Sequence, residues 1–269
     1  MTPPVFAALT VLNAGSMRFR RDEYNQNRAA FFSQPAFLQK RIAETELIHS
    51  HNVCSADTDS PSRPCSISEN LDGIITRSPS VLPVITVADC MPIFIYEPLS
   101  SCIGVLHSGW KGTGIVLKAF EKAEKEYGAD ISNFRVILGP HIGSCCYTVD
   151  GERARFFQNE FSPDCVFPCD DSGAFYRLSL EKANLALLKK AGIKREHIVS
   201  AGECTCCTKN ACGNYKYGSF RRETASLPAS MNLEERQRLF TPMAAFIGFE
   251  DPCFTPEALI EAGACIFYF

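Results

Sequence analysis

Short apolar segments of strand length alternate irregularly with helical segments along the 269 residues, and this order most constrains the fold. A doubly wound parallel sheet needs a regular alternation of strands and helices. Here the apolar segments 81–88, 92–96 and 102–107 follow one another with only turns between them. The pattern therefore predicts an α+β fold. No repeat, low-complexity tract or linker interrupts the chain, which predicts a single domain over residues 1–269.

The other predicted elements follow from the same periodicities. Strands are predicted at residues 5–12, 71–76, 134–138 and 197–201. Helices are predicted at residues 115–127, 178–191, 234–240 and 256–262. The prolines in the segment 57–64 predict a surface loop there.

Composition narrows the class of partner and the compartment. A formal net charge of −3 gives no basic excess of the kind that nucleic-acid-binding domains show, so a small-molecule partner is expected. The N-terminal apolar run is shorter than the roughly 20 residues that a membrane-spanning helix needs, and no basic segment precedes it. We therefore expect a cytoplasmic protein that does not enter a membrane, as a monomer or a homodimer. Its 14 cysteines are expected to be mostly reduced.

Cysteine and histidine residues end two of the predicted strands. Cys90 follows the segment 81–88 and His107 closes the segment 102–107, where side chains are accessible yet rigidly positioned. With His49 they could form a His₂Cys set, and catalytic zinc keeps three such ligands with a fourth position for water. Gaps of 41 and 17 residues match no recognised metal spacing. From spacing alone, a core cysteine and two surface histidines remain the alternative.

The motifs around these residues are more specific than the spacing. Residues 86–92 (Thr-Val-Ala-Asp-Cys-Met-Pro) and 107–112 (His-Ser-Gly-Trp-Lys-Gly) resemble the family described as multicopper polyphenol oxidoreductase, or laccase-domain, proteins. Further matches run in the family's order over about residues 27–223. They are Asn27-Arg28, Ile48-His49-Ser50, 72–76, 138–143 with Cys146-Tyr147, Cys204-Thr205 and 219–222.

The resemblance implies a fold, a metal and an activity. The fold would be a layered α/β/β/α arrangement with mixed sheets. His49, Cys90 and His107 would bind zinc, with copper possible in vitro. Family members resemble purine nucleoside phosphorylases of the adenosine, inosine, guanosine and methylthioadenosine class, with adenosine deaminase side activity. A nucleoside and phosphate are then the expected partners. One bacterial branch is instead described as peptidoglycan-editing factors.

The chain also departs from the family pattern. Residues 12–18 replace the Thr-x-Arg-x-Gly-Gly segment that is usual near the N-terminus. The linker between Cys204 and Ser219 is rich in cysteine, and the Gly-Arg that usually follows Arg221-Arg222 is missing.

Two groups of residues are candidate phosphate ligands. Gly109, Lys111 and Gly112 lie in a glycine-rich turn before a predicted helix, where backbone N–H groups attract anions. Glycine turns before helices are also common without a ligand. Arg221 and Arg222 suit planar oxyanions, and a structural ion pair is the alternative for either.

Asp89 completes the candidate catalytic set with Cys90 and His107. Its position beside Cys90 would allow it to orient a ligand histidine or to transfer a proton. A cap at the end of a strand is the alternative role.

Three hypotheses compete with the phosphorylase. In a cysteine hydrolase, Cys90 would be the nucleophile and His107 its base, acting on an amide such as a peptidoglycan precursor. A zinc-bound thiolate would be a poor nucleophile, so the two enzyme hypotheses exclude each other. Polyphenol oxidation is the least expected activity, because each copper typically needs two or more imidazoles and the chain has five histidines.

The third hypothesis is a zinc-stabilised binding protein. The segment 204–212 contains four cysteines, enough for a second, structural zinc site, although their spacing is not a clean pair of CxxC motifs. The adjacent Cys145 and Cys146 are expected to pack rather than to form a disulfide with each other, because adjacent cysteines rarely have disulfide geometry. This hypothesis predicts that metal removal unfolds the chain.

Overall fold

The computed structural model of the chain describes residues 3–57, 70–169, 174–228, 230–252 and 254–269. The loop predicted at 57–64 lies outside these residues except for Asp57. The strands are β1 Val5–Thr10, β2 Arg41–Glu44, β3 Val53–Ser55, β4 Gly73–Thr76, β5 Val81–Val87, β6 Met91–Glu97, β7 Cys102–Ser108, β8 Arg135–Leu138, β9 Thr148–Asp150, β10 Val166–Pro168, β11 Phe175–Leu178, β12 Ile198–Ser200, β13 Met243–Phe249 and β14 Ala264–Tyr268. The helices are α1 Gln26–Phe32, α2 Ile115–Tyr127, α3 Gly151–Glu160, α4 Leu180–Lys190, α5 Phe220–Glu223, α6 Leu233–Gln237 and α7 Pro256–Glu261.

Two large mixed sheets organise these strands. One has the order β14-β1-β13-β5-β2 and the other the order β12-β8-β6-β7-β4-β3, while β10-β11-β9 form a smaller sheet. Neighbouring strands are antiparallel except for the pairs β2–β5, β3–β4 and β12–β8, which are parallel. Two antiparallel pairings join β7 to β6 and to β4, so the residues at the ends of β4, β6 and β7 lie side by side.

The two large sheets pack against each other through alternate side chains. Successive residues of a strand point to opposite faces, so Val84 and Ile85 of β5 belong to different apolar clusters. Ile85, with Phe94 and Val105 from the other sheet, fills the space between the sheets. On the outer faces, α2 and α4 pack against the six-stranded sheet, and α1 and α7 pack against the five-stranded one. The α+β class and the layered α/β/β/α arrangement are therefore confirmed.

The predicted elements agree with the structure to within a few residues. Helix α2 coincides with its prediction, and Gly128 ends it with a φ of 66°, a conformation that glycine adopts without strain. Helix α4 begins two residues later than predicted, because the Ser179 side chain accepts a hydrogen bond from the Lys182 N–H and caps it. The helix predicted at 234–240 covers only Leu233–Gln237.

Several elements escaped prediction, above all β13 at the centre of the five-stranded sheet. All seven of its residues are buried. It also contains two alanines and a glycine, residues that are depleted in strands, so the segment 243–249 gives a weaker strand signal than the apolar run of β1. Helices α1 and α3 were also missed. None of the described helices has the length and apolar character needed to cross a membrane.

The apolar layer between the five-stranded sheet and helices α1 and α7 predicts how substitutions change the free energy of unfolding. Phe246 of β13 is fully buried and makes edge-on contacts with the rings of Phe6, Phe31 and Phe37. Phe246→Ala should reduce the free energy of unfolding by about 3–5 kcal/mol, because it leaves a cavity. Urea denaturation measures the change. The matched control is Phe175→Ala, at a ring that is 55% exposed and that should cost less than about 1 kcal/mol; equal losses in both variants would contradict the layer assignment.

Candidate active site

Three possible metal ligands meet although they are far apart in the sequence. His49 follows β2, Cys90 lies in the turn between β5 and β6, and His107 lies near the end of β7. One ligand atom from each lies within 4.8 Å of the others. The rings of His49 and His107 are nearly perpendicular, with centroids 4.9 Å apart. His51 does not join them in the described structure, since its Nε2 lies 3.0 Å from the Thr113 carbonyl oxygen.

A buried carboxylate, that of Asp72, positions two of these residues. Its Oδ1 accepts hydrogen bonds from the His49 N–H and from His107 Nδ1, both at 2.9 Å. Its Oδ2 accepts from the N–H and the hydroxyl of Ser50, at 2.6 and 2.7 Å. Because Nδ1 of His107 is the donor to Asp72, its Nε2 is left for a metal or for the Cys90 thiol.

Cys90 and His107 form a buried pair that favours charge separation. Burial alone would raise the pKa of Cys90, but the charge and hydrogen bond of His107, helped by His49, bring it down to about 6. Burial likewise opposes a charge on His107, and the neighbouring Cys90 and Asp72 outweigh it and raise the pKa of His107 to about 10. Without a metal the pair is therefore a thiolate beside an imidazolium at neutral pH.

The backbone around the site is unusual at three positions. His49 and Asp89 adopt positive φ values of 61° and 75°, which cost energy for residues with a side chain. The strain at His49 is offset by the hydrogen bonds to Asp72. Gly109 lies so near Cys90 that a Cβ there would come within 2.6 Å of the thiol sulfur, so only glycine fits.

A cavity of about 440 Å³ opens onto the three ligand residues. This volume is within the range of small-molecule sites. Its apolar lining includes the aromatic side chains of Phe19, Trp110, Tyr147, Phe220 and Phe240. Such a wall suits a flat heterocyclic ring, which stacks on aromatic faces.

Four arginines line the cavity, and only Arg221 was predicted. Among the described residues, Arg18 and Arg20 form ion pairs with Glu23 and Glu46, whereas Arg153 and Arg221 form no ion pair. Arg221 lines it, with its guanidinium 5.5 Å from the Tyr147 ring and one N–H donating to the Thr148 carbonyl at 3.1 Å. Arg153 also lines it and lies 4.4 Å over the Trp110 ring. Arg153 belongs to α3, a helix that was not predicted from the sequence, and it lies in none of the matching motifs. Each guanidinium carries five N–H donors, so donors remain for an oxyanion.

Arg222 does not line the cavity. Its guanidinium donates to the carbonyls of Thr205, Cys206 and Tyr217 and forms an ion pair with Glu223 at 2.9 Å. These bonds join the loop at 204–208 to α5. The contacts of Arg222 therefore support the alternative role, that of a structural ion pair, and not phosphate binding.

Only one of the three candidate residues in the glycine-rich turn lies at the cavity. Gly109 lines the cavity, while Lys111 is exposed on the outside, 5.3 Å from the Trp110 ring. Gly112 faces backbone, because a Cβ there would lie 2.9 Å from the His107 carbonyl oxygen. Lys111 and Gly112 therefore do not contribute to the cavity wall.

Asp89 lines the cavity but does not orient a histidine. Its carboxylate accepts hydrogen bonds from the Thr205 hydroxyl at 2.7 Å and from the backbone N–H of Arg221 at 2.6 Å. These contacts tie the turn that carries Cys90 to α5 and to the loop of Thr205. The orienting role belongs to Asp72, which in the sequence stands out only as part of the matching segment 72–76.

Known proteins with related sequences and structures add an independent line of evidence. The model of the family described as multi-copper polyphenol oxidoreductase laccase matches residues 9–227. The Mus musculus protein named purine nucleoside phosphorylase LACC1 is 29% identical over 210 residues, which are 76% of this chain and 46% of that protein. A protein from an unknown prokaryotic organism, named adenosine deaminase RL5, is 28% identical over 141 residues, 52% of this chain and 54% of that protein. The chain thus spans about half the length of these curated relatives.

The fold is likewise that of a solved structure. The crystal structure of YlmD from Geobacillus stearothermophilus superposes with a TM-score of 0.74 at 25% sequence identity, over 92% of this chain and 93% of that chain. The correspondence covers both large sheets, because it includes nearly the whole chain.

The lowered pKa of Cys90 predicts its reactivity in metal-free protein. After chelator treatment, the rate of alkylation of Cys90 by iodoacetamide should reach half its maximum near pH 6, because the thiolate is the reactive form. Peptide mass spectrometry measures the rate. His107→Ala should move the midpoint upwards, towards the ordinary value of about 8.5.

The control for this measurement is His51→Ala, which removes a nearby histidine outside the ligand group and should leave the midpoint in place. A wild-type midpoint near that of an ordinary thiol would show that His107 does not stabilise the thiolate.

Proposed function

This chain belongs to the multi-copper polyphenol oxidoreductase laccase family, and on that premise we propose that it is a zinc-dependent purine nucleoside phosphorylase with adenosine deaminase side activity. The observation that carries the proposal is the His₂Cys group at an aromatic cavity that is also lined by Arg153 and Arg221. The relatives named purine nucleoside phosphorylase and adenosine deaminase support it.

The residues of the site fit a zinc ion. The three donor atoms lie within 4.8 Å of one another, the Cys90 pKa is lowered, and Nε2 of His107 is left unbound by Asp72. Imidazole and thiolate are the ligands that zinc prefers, and three protein ligands leave one position open. With that open position, bound zinc supplies Lewis acidity for the activation of water.

The cavity provides the other requirements of a nucleoside site. The aromatic wall would stack the purine ring, and Arg153 and Arg221 would hold phosphate by charge-assisted hydrogen bonds. In phosphorolysis, a phosphate oxygen forms a bond to C1′ of the ribose as the bond from C1′ to the purine nitrogen breaks, and the base leaves with a proton. In deamination, water replaces the amino group of adenosine and ammonia is released.

A cysteine hydrolase is the second candidate, because Cys90, His107 and Asp72 are arranged as nucleophile, base and orienting carboxylate. In this case Cys90 would attack an amide carbonyl, such as that of a peptidoglycan precursor. The same sulfur cannot both bind zinc and act as a free nucleophile, so zinc should inhibit the hydrolase and support the deaminase.

Product analysis tests the proposal and separates the two candidates. Zinc-loaded protein should convert adenosine and phosphate to adenine and ribose 1-phosphate, and without phosphate should release inosine and ammonia more slowly. His49→Ala should lose zinc from this site and lose deamination, whereas His51→Ala should retain both. Chromatography and elemental analysis measure the outcome. No product from adenosine, inosine or guanosine, together with amide hydrolysis by metal-free protein, would replace the phosphorylase by the hydrolase.

If Arg153 and Arg221 bind phosphate, their substitution should weaken the binding of phosphate. Arg221→Ala and Arg153→Ala should each raise the KM for phosphate by about tenfold or more, the value of a lost charged hydrogen bond of 1.5 kcal/mol or more. Steady-state phosphorolysis at varied phosphate concentration gives this constant. Arg177→Ala, on an exposed part of β11, is the matched control. A KM for phosphate that stays unchanged in both cavity variants would remove the arginines from the phosphate site.

A further inference from the structure

A second group of metal-ligating side chains lies outside the site described above. The sulfur atoms of Cys145, Cys146, Cys204 and Cys207 all lie within 4.8 Å of one another. The grouping differs from the one that the sequence suggested, because Cys206 and Cys212 are not members and the adjacent pair at 145–146 is. Cys204 and Cys207 are separated by two residues, the spacing of many structural zinc ligands.

The backbone brings these cysteines together independently of any metal. Their two loops follow β8 and β12, which are parallel neighbours, so both loops leave the same edge of the sheet. The loops stay joined beyond the strands, because the Thr205 N–H donates to the His141 carbonyl at 3.0 Å. Each pair of cysteines then lies on a tight turn. The Cys146 N–H donates to the Gly143 carbonyl at 2.9 Å, and the Thr208 N–H donates to the Cys204 carbonyl at 3.0 Å.

The sulfur spacing suits one tetrahedral ion. A zinc–sulfur bond of about 2.3 Å places tetrahedral sulfur ligands about 3.8 Å apart. Sγ of Cys145 and Sγ of Cys207 are 3.7 Å apart. This separation is far longer than the roughly 2.05 Å of a disulfide. All four cysteines are free thiols.

The backbone also prepares one sulfur of the cluster for a metal. The Gly143 N–H donates a hydrogen bond to Sγ of Cys204 at 3.2 Å. Such a bond stabilises the thiolate, which is the form of cysteine that binds zinc.

We propose that Cys145, Cys146, Cys204 and Cys207 bind a structural zinc ion that is separate from the His49–Cys90–His107 site. The ion would hold in place the two loops that carry Tyr147 and Thr205 at the wall of the cavity, without itself lying in the cavity. Cys146 precedes Tyr147, which lines the cavity, and Cys204 precedes Thr205, whose hydroxyl holds Asp89. Four thiolates leave no open position, so this zinc stabilises the fold and takes no part in the reaction.

The test uses His107→Ala protein, in which the first site is impaired, so that its result does not depend on the proposed function. Elemental analysis should find about one zinc per chain in His107→Ala and in His107→Ala with Cys212→Ser, an exposed cysteine outside the cluster. Adding Cys145→Ser or Cys207→Ser should remove it. Metal-free His107→Ala loaded with cobalt should show the intense sulfur-to-cobalt absorption of a thiolate site, which Cys207→Ser should abolish.

Three results would overturn the proposal. The first is zinc-free His107→Ala protein that also fails to show the cobalt absorption. The second is zinc that stays in both serine variants. The third is a mass deficit of two hydrogen atoms under non-reducing conditions that maps to a disulfide among the four cysteines. If a serine variant does not fold, the cobalt absorption of the parent protein still decides the outcome.

Discussion

The buried carboxylate of Asp72 is the interaction on which the candidate active site depends. It lies at the start of β4 and receives hydrogen bonds from the loop of His49 and from the ring of His107. One side chain thereby holds two ligand residues from distant parts of the chain in one orientation. A buried charge is costly unless it is fully paired, so the site and the local fold stabilise each other.

The two packed sheets explain why the site can be rigid although its residues lie at strand ends and in loops. Their side chains fill the space between the sheets, and the central strands are buried on both faces. Asp89 also joins separate segments around the cavity. Its carboxylate accepts hydrogen bonds from Thr205 and from the backbone of Arg221, and these bonds connect both residues to the turn of Cys90. The arginines, the aromatic wall and the candidate metal ligands of the cavity are thus attached to one framework.

The sequence identified the candidate metal ligands through their motifs but not the contacts between the motifs. His49, Cys90 and His107 were identified because each lies in a specific segment, and the structure brings them together. The role of Asp72 could not be predicted, because it depends on a hydrogen bond across 35 residues. Arg153 carries no motif, and its approach to the cavity follows from the packing of α3. The four-cysteine cluster was missed because it pairs loops after two parallel strands, a pairing that only the topology reveals.

The fold elements that were predicted are likewise those with strong local sequence signals. Helix α2 was predicted with its correct ends, because its apolar stripe and the terminal Gly128 are local signals. Strand β13 was missed because Ala244, Ala245 and Gly248 are residues depleted in strands, so its local signal is weak.

The zinc affinity of Asp72→Asn tests the central claim most directly. Asparagine keeps the shape of the side chain but removes the charge that stabilises the donor nitrogen of His107. Affinity should be measured by competition with a chelating dye, at the site that Cys90→Ala abolishes. Loss of such a supporting hydrogen bond should weaken zinc binding by about 10–100-fold. Zinc binding as tight in Asp72→Asn as in the unaltered protein would contradict the account.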